Sequence, residues 1–173
     1  MTKATSIIRA RGEGERLWFY GGGVFTVKAT AAETGGSLFM FEDSMAQGKT
    51  TPLHLHPEEE EAVYVIEGEL LVHVDGKDHQ VRAGGLAVVP RGVAHAFLVT
   101  SKVARILAIL SPGKAESFYR GASEPATAET DPSGPVDFNR LRQSAERNGG
   151  IEILGPPPFD KSQIEALVPT GSG

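Results

Sequence analysis

Gly48-Lys-Thr-Thr-Pro-Leu-His54-Leu-His56-Pro-Glu-Glu-Glu-Glu61-Ala-Val-Tyr-Val-Ile-Glu-Gly68 is the stretch whose reading decides the fold. Side chains alternate along an extended strand, so His54 and His56 point to the same face. Four residues separate His56 from Glu61, enough chain to turn and return alongside. An apolar strand, Ala62 to Ile66, then runs on to Gly68. Two imidazoles and one carboxylate aimed at one point inside a sheet make a metal pocket the first reading. The acidic run from Glu58 to Glu61 raises a question of register. Glu61 shares parity with Val63 and Val65, so it points inward if those valines fill the interior. Its three acidic neighbours read as a solvated turn, where like charges need water or a cation between them.

A fourth ligand is offered by His95, in Gly84-Gly-Leu-Ala-Val-Val-Pro90-Arg-Gly92-Val-Ala-His95. The first stretch reads Gly, five residues, His-x-His, four residues, Glu, six residues, Gly. The second reads Gly, five residues, Pro, one residue, Gly, two residues, His. Together they resemble the two sequence motifs of the cupin superfamily, over roughly Gly48 to Val99. The spacing of Glu61 from Gly68 also matches the family's first motif. Val99 stands where the second motif often ends in Asn; that Asn is not a ligand, so the departure speaks only against a germin-like subfamily. The resemblance implies a jelly-roll-like small β-barrel and a metal held by His54, His56, Glu61 and His95. The layout, one motif pair followed by a C-terminal extension, is most similar to quercetin 2,3-dioxygenase-like monocupins.

The rest of the chain fits an all-β domain. Its 173 residues suffice for one domain with a real core. Strands are expected at Val24 to Lys28, Leu38 to Glu42, Leu70 to Val74, His79 to Arg82, Leu86 to Val89, His95 to Thr100 and Ala104 to Leu110, besides those of the first motif. Gly21-Gly22-Gly23 and Asp75-Gly76 supply turns, the latter a tight hairpin signal. Residues 1–16 are expected as an arm, 17–115 as the barrel, and 116–173 as linker, helix and extended tail. Ile7-Ile8 is a candidate for pairing with a neighbouring subunit or for a frayed end. Residues 121–135, with no large apolar side chain, read as a linker or a loop laid on the barrel. Val136 to Asn148 is a helix candidate with Phe138, Leu141 and Ala145 on one face and Gly149 as its stop. Ile151 to Leu154 is a further candidate strand, and Thr170 to Gly173 is expected to be disordered.

Composition excludes several functions. Seventeen basic against 22 acidic residues give a net charge of −5 without a basic block, so nucleic acid is not an expected partner. With no cysteine there is neither a disulfide framework nor a thiolate metal site. No segment has the length and apolarity of a membrane span or of a secretory signal, so a cytoplasmic protein is the expectation. A homodimer is expected from the resemblance.

Three imidazoles and a carboxylate suit one divalent transition metal per chain, iron, manganese, nickel, cobalt or zinc, and do not suit calcium. Four protein ligands on an octahedral ion leave positions for water or a small-molecule substrate. Phe39, Phe41, Val63, Val65, Phe97 and Val99 are the candidate apolar wall of a substrate pocket, with core filling the plainer role for most of them. His73 and His79 flank the Asp75-Gly76 hairpin and are expected outside the barrel. Arg91 and Arg105 are candidates for holding an anionic group. The leading function is a metal-dependent dioxygenase with Glu61 as the base that takes a substrate proton. The alternatives are an isomerase or lyase on a polar molecule, which would want inward-facing Lys or Arg, and a non-catalytic small-molecule binding cupin.

Overall fold

The computed structural model describes residues 6–160, 162 and 163. The expectation of disorder at Thr170 to Gly173 lies outside the described residues. Ten strands follow one another between residues 16 and 111: β1 (Arg16–Phe19), β2 (Val24–Ala29), β3 (Phe39–Ala46), β4 (Leu53–Leu55), β5 (Glu60–Glu67), β6 (Glu69–Val74), β7 (Lys77–Arg82), β8 (Leu86–Val89), β9 (His95–Val99) and β10 (Val103–Ser111). Then come α1 (Glu116–Gly121), β11 (Ser123–Pro125), α2 (Phe138–Asn148) and β12 (Glu152–Gly155). Among the described residues the strands form two sheets, seven in the order β11-β1-β2-β3-β10-β5-β8 and five in the order β12-β4-β9-β6-β7. The sheets are not joined into one closed ladder; the arrangement is jelly-roll-like, with the core between the sheets.

Period-two patterning explains which face is inside. Along β3, Phe39, Phe41, Asp43 and Met45 are buried and the residues between them are half-exposed. Its neighbour β10 buries Ala104, Ile106, Ala108 and Leu110 on the same schedule. From the five-stranded sheet, Leu70 and Val99 are fully enclosed in the same core. Each such apolar side chain contributes roughly 1.5–3 kcal/mol through removal from water. The hairpin between β6 and β7 turns through Asp75 and Gly76, both at positive φ (52° and 71°), as a type I′ turn requires.

In the C-terminal part α2 and β12 fall where a helix and a strand were expected, whereas residues 116–125 depart from the expected linker. Strand β11 lies inside the stretch read as a loop and pairs with β1. Helix α1, too short to show a period in sequence, buries Phe118 and Tyr119. The Tyr119 ring enters an aromatic cluster, with its centroid 4.9 Å from Phe41 and 5.9 Å from Phe39. Asp137 caps α2, its side chain accepting hydrogen bonds from the amides of Asn139 and Arg140. The helix seats Leu141 and Ser144, and Ser144 Oγ donates to the Phe118 carbonyl at 2.8 Å. Phe138, expected on the buried face, is 37% exposed. Strand β12 then pairs with β4, placing Ile153 beside His54. The extension is thus woven into both sheets, and it brings backbone to the histidine strand. Among the described residues no helix is long and apolar enough to cross a membrane.

Candidate metal centre

Register brings the four expected ligands together. His54 on β4 stands opposite His95 on β9, and their ring centroids are 4.3 Å apart. His56 leaves the end of β4 with its ring 5.5 Å from that of His54 and 5.7 Å from that of His95. Glu61 arrives from the other sheet on β5, which lies between β8 and β10. All four side chains are buried, and one ligand atom from each lies within 4.8 Å of the other three.

Backbone carbonyls orient the rings. The Nδ1 atoms of His54, His56 and His95 face the carbonyls of Pro52, Gly150 and Val93 at 2.8, 3.1 and 2.9 Å. A carbonyl only accepts, so each Nδ1 carries the proton and each Nε2 is left for the centre. This outer hydrogen bonding is the arrangement that fixes a metal-binding imidazole. The contact from Gly150 comes from the turn between α2 and β12, so the C-terminal extension helps to aim His56. His56 Nε2 is buried with no hydrogen-bond partner. A bare lone pair, enclosed beside two more imidazoles and a carboxylate, fits a cation better than it fits a proton donor. Among the described residues this donor set offers nitrogen and oxygen and no sulfur, as expected for a divalent transition metal.

Charges within the cluster are arranged around Glu61. Its Oε2 accepts from His95 Nε2 at 2.9 Å and lies 3.7 Å from His56 Nε2. Burial would raise the Glu61 carboxyl, but the His95 hydrogen bond and the three imidazoles together hold it down at about 2. Burial lowers His54 to about 3, helped by the neighbouring rings His95 and His56. Burial also lowers His56, against the pull of Glu61. For His95 burial acts the same way, yet the Glu61 hydrogen bond and charge outweigh it and the net shift is upward. A metal held by these four residues would take the place of the proton that His95 Nε2 shares with Glu61.

A pH dependence follows for the metal-free protein. His54 stays neutral when folded until about pH 3, whereas in the unfolded chain it takes a proton near 6.5. Its contribution to stability is complete above 6.5 and is lost as pH falls from there toward 3. His56 acts in the same sense. His95, shifted upward, and Glu59, raised to about 8, work in the opposite direction over this range; Glu61 matters only below about 4.5, toward 2. Comparison with His54→Gln isolates the His54 part: between pH 7 and pH 5, chelator-treated wild type is expected to lose about 2 kcal/mol more unfolding free energy than the variant loses. Urea titrations of both proteins at the two values measure it. An equal change in the two would show that burial does not keep His54 neutral.

The remaining expected residues divide. Phe41 and Phe97 line a cavity that also reaches His54 and Glu61. Phe39, Val63, Val65 and Val99 are buried in the core and do not line that cavity. The cavity has a volume of about 40 Å³ and is otherwise walled largely by Phe19, Phe118, Tyr119 and Leu141. A dry apolar cavity of about 150 Å³ holds one benzene, so an organic ligand must push wall side chains aside. Arg91 pairs with Glu60, and Arg105 with Glu42 and Glu67, so neither arginine reaches the cavity. His79 is exposed, and His73 pairs with Asp78 at 2.6 Å away from the cluster.

One residue was misread in sequence. Glu59, expected in a solvated turn, is 1% exposed, and neither of its carboxylate oxygens has a hydrogen-bond partner of normal geometry. Burial pushes its carboxyl up to about 8, so at neutral pH it is largely protonated. The parity that points Glu61 inward applies equally to Glu59, and that was the available signal. Its neighbours do stay outside, Glu58 with Lys114 and Glu60 with Arg91.

Comparison with known proteins agrees with this geometry. The family model described as "Cupin domain" matches residues 41–110. Protein SchB of Streptomyces halstedii is 34% identical over 108 residues, which is 62% of this chain and 77% of that protein. The chain belongs to the cupin family. This cupin is also 26% identical over 145 residues to quercetin 2,3-dioxygenase of Bacillus subtilis (strain 168), covering 83% of its own length. It spans 43% of that relative. Among solved structures, KdgF from Halomonas sp. superposes with a TM-score of 0.57 at 18% identity, over 62% of this cupin and 94% of that chain. That likeness is one of fold.

Proposed function

We propose that this cupin is a metal-dependent dioxygenase acting on a hydroxylated or enolisable small organic molecule. The observation that carries the reading is the convergence of three carbonyl-oriented imidazoles and one buried carboxylate on the wall of an aromatic cavity. One divalent transition metal per chain, held by His54, His56, Glu61 and His95, supplies a Lewis acid for a substrate oxygen and, where the ion is redox-active, electrons for dioxygen. The chain's own part is to exclude water and to offer the faces of Phe41 and Phe97 to a flat ring. Glu61, buried and on the cavity wall, is placed to take the proton of a substrate hydroxyl. The name of the Bacillus subtilis relative, a quercetin dioxygenase, supports this substrate class.

A second reading, proton-transfer isomerisation or lyase chemistry on a polar molecule, draws on one observation. Lys49, not among the expected site residues, faces inward and lines the cavity. The test is oxygen consumption by metal-loaded protein with quercetin, other flavonols and smaller enolisable ketones, with His54→Ala as control. Oxygen uptake in step with substrate loss, absent from the control, supports the dioxygenase. Turnover in the absence of oxygen supports the second reading. Tight binding without turnover leaves a non-catalytic binding cupin.

A further inference from the structure

The cavity contains a second polar feature that the ligand cluster does not use. Lys49, in the turn before β4, sends its side chain inward to Asp43 on β3, with Nζ 2.7 Å from Oδ2. Both side chains are nearly closed to solvent, at 5% and 4% exposure. The ammonium lies 5.6 Å from the Phe19 ring centroid and 5.3 Å from that of Phe97. It has three donors, and among the described residues only Asp43 takes one. Lys49, Asp43, Phe19 and Phe97 line the same cavity as His54 and Glu61.

The surrounding chain is shaped to hold this pair. The glycine run read as a turn lies directly behind it. A Cβ on Gly23, whose φ is +128°, would sit 2.6 Å from Asp43 Oδ1. A Cβ on Gly21 would sit 2.1 Å from the Phe19 ring. Side chains at these positions would drive the carboxylate and the ring out of place. A buried ion pair is seldom more stable than apolar filling of the same volume, because both charges lose their hydration. Spare ammonium donors at the wall of an aromatic cavity are instead what binding an oxygen requires.

We propose that Lys49 is the substrate-orienting residue of this site. Its ammonium, held in place by Asp43, donates a hydrogen bond to a hydroxyl or keto oxygen of a flat substrate whose other oxygen function goes to the His54, His56, Glu61 and His95 cluster. The substrate class is then a ring compound with oxygen at both ends, rather than one with a single metal-binding oxygen. This rests on the metal-dependent reading above.

Two small hydroxypyranones separate the two ends. Kojic acid and allomaltol carry the same metal-binding hydroxy-ketone and differ in one remote group, hydroxymethyl against methyl. Their affinities are measured by calorimetry, without oxygen, on metal-loaded protein. Wild type is expected to prefer kojic acid by about tenfold or more, the usual worth of a hydrogen bond to a charged donor. The Asp43→Asn/Lys49→Met variant, with its metal content checked, is expected to bind both equally. Equal binding of the two by wild type, binding of neither, or a preference that survives in the double variant overturns the role of Lys49. If the double variant does not fold, Lys49→Arg decides: it keeps the ion pair but moves the donors, and an unchanged preference overturns the proposal. The metal reading fails separately, if His54→Ala/His56→Ala protein binds both pyranones as tightly as wild type does.

Discussion

His54→Ala/His56→Ala protein is expected to purify folded and without metal. Two of four donor atoms disappear, and the two that remain are already engaged with each other, His95 Nε2 with Glu61 Oε2 at 2.9 Å. Losing an outer-shell partner of a metal ligand typically costs 10–100-fold in affinity, and losing two ligands exceeds that. Metal content is therefore expected to fall at least about a hundredfold under equal loading. The fold should survive, because the principal core is built from Phe25, Phe39, Met45, Leu70 and Leu110, away from the imidazoles. Elemental analysis and circular dichroism read the two effects independently. Wild-type metal content in the double variant would mean that the ligands lie elsewhere.

The second large effect is expected at the buried ion pair. Lys49→Met removes the only cation beside Asp43 among the described residues and strands a carboxylate that is 3% exposed. Removing one partner of such a pair costs roughly 3–5 kcal/mol, whereas removing both charges together is often close to neutral. Burial already raises the Asp43 carboxyl despite the Lys49 charge, so the stranded group escapes part of the penalty by taking a proton. Urea unfolding at pH 7.5 is expected to show a loss of about 3 kcal/mol or more for Lys49→Met. The Asp43→Asn/Lys49→Met protein should recover most of it. Equal losses in the single and double variants would show that Lys49 acts through packing and not through charge.

The two sites differ in how much of each could be read from sequence. The metal centre was nearly all legible, because its geometry is local. His54 and His56 share a face by strand alternation, and Glu61 and His95 sit at fixed offsets from the glycines that end their turns. The same alternation would have placed Glu59 inside. Four consecutive glutamates disguised it, since a charge run is normally a solvated surface. Lys49 was harder to find. Gly48-Lys-Thr-Thr-Pro reads as an exposed turn, and nothing near it in the chain says otherwise. Its burial depends on Asp43 from β3, Phe97 from β9 and the Gly21 to Gly23 turn, which meet only when the two sheets close.

The C-terminal part shows the same division. The helix of Phe138–Asn148 has a capping aspartate and a terminating glycine, and such signals act within one turn. Six-residue α1 and three-residue β11 are too short to carry a period, so their structure is imposed by what they dock against.

From the order of its residues alone this protein resembles a cupin, with His54 and His56 on one face of a strand and Glu61 and His95 at motif spacing. Alternation and turn chemistry operate over a few residues and need no knowledge of the rest. The tertiary structure alone decided that Gly150 aims His56, that Lys49 and Asp43 share the cavity with the ligands, and that α1 and α2 help wall it. Those contacts join residues far apart in the chain or lie where the local pattern says surface, and only packing of the sheets, with the loss of water that accompanies it, brings them together.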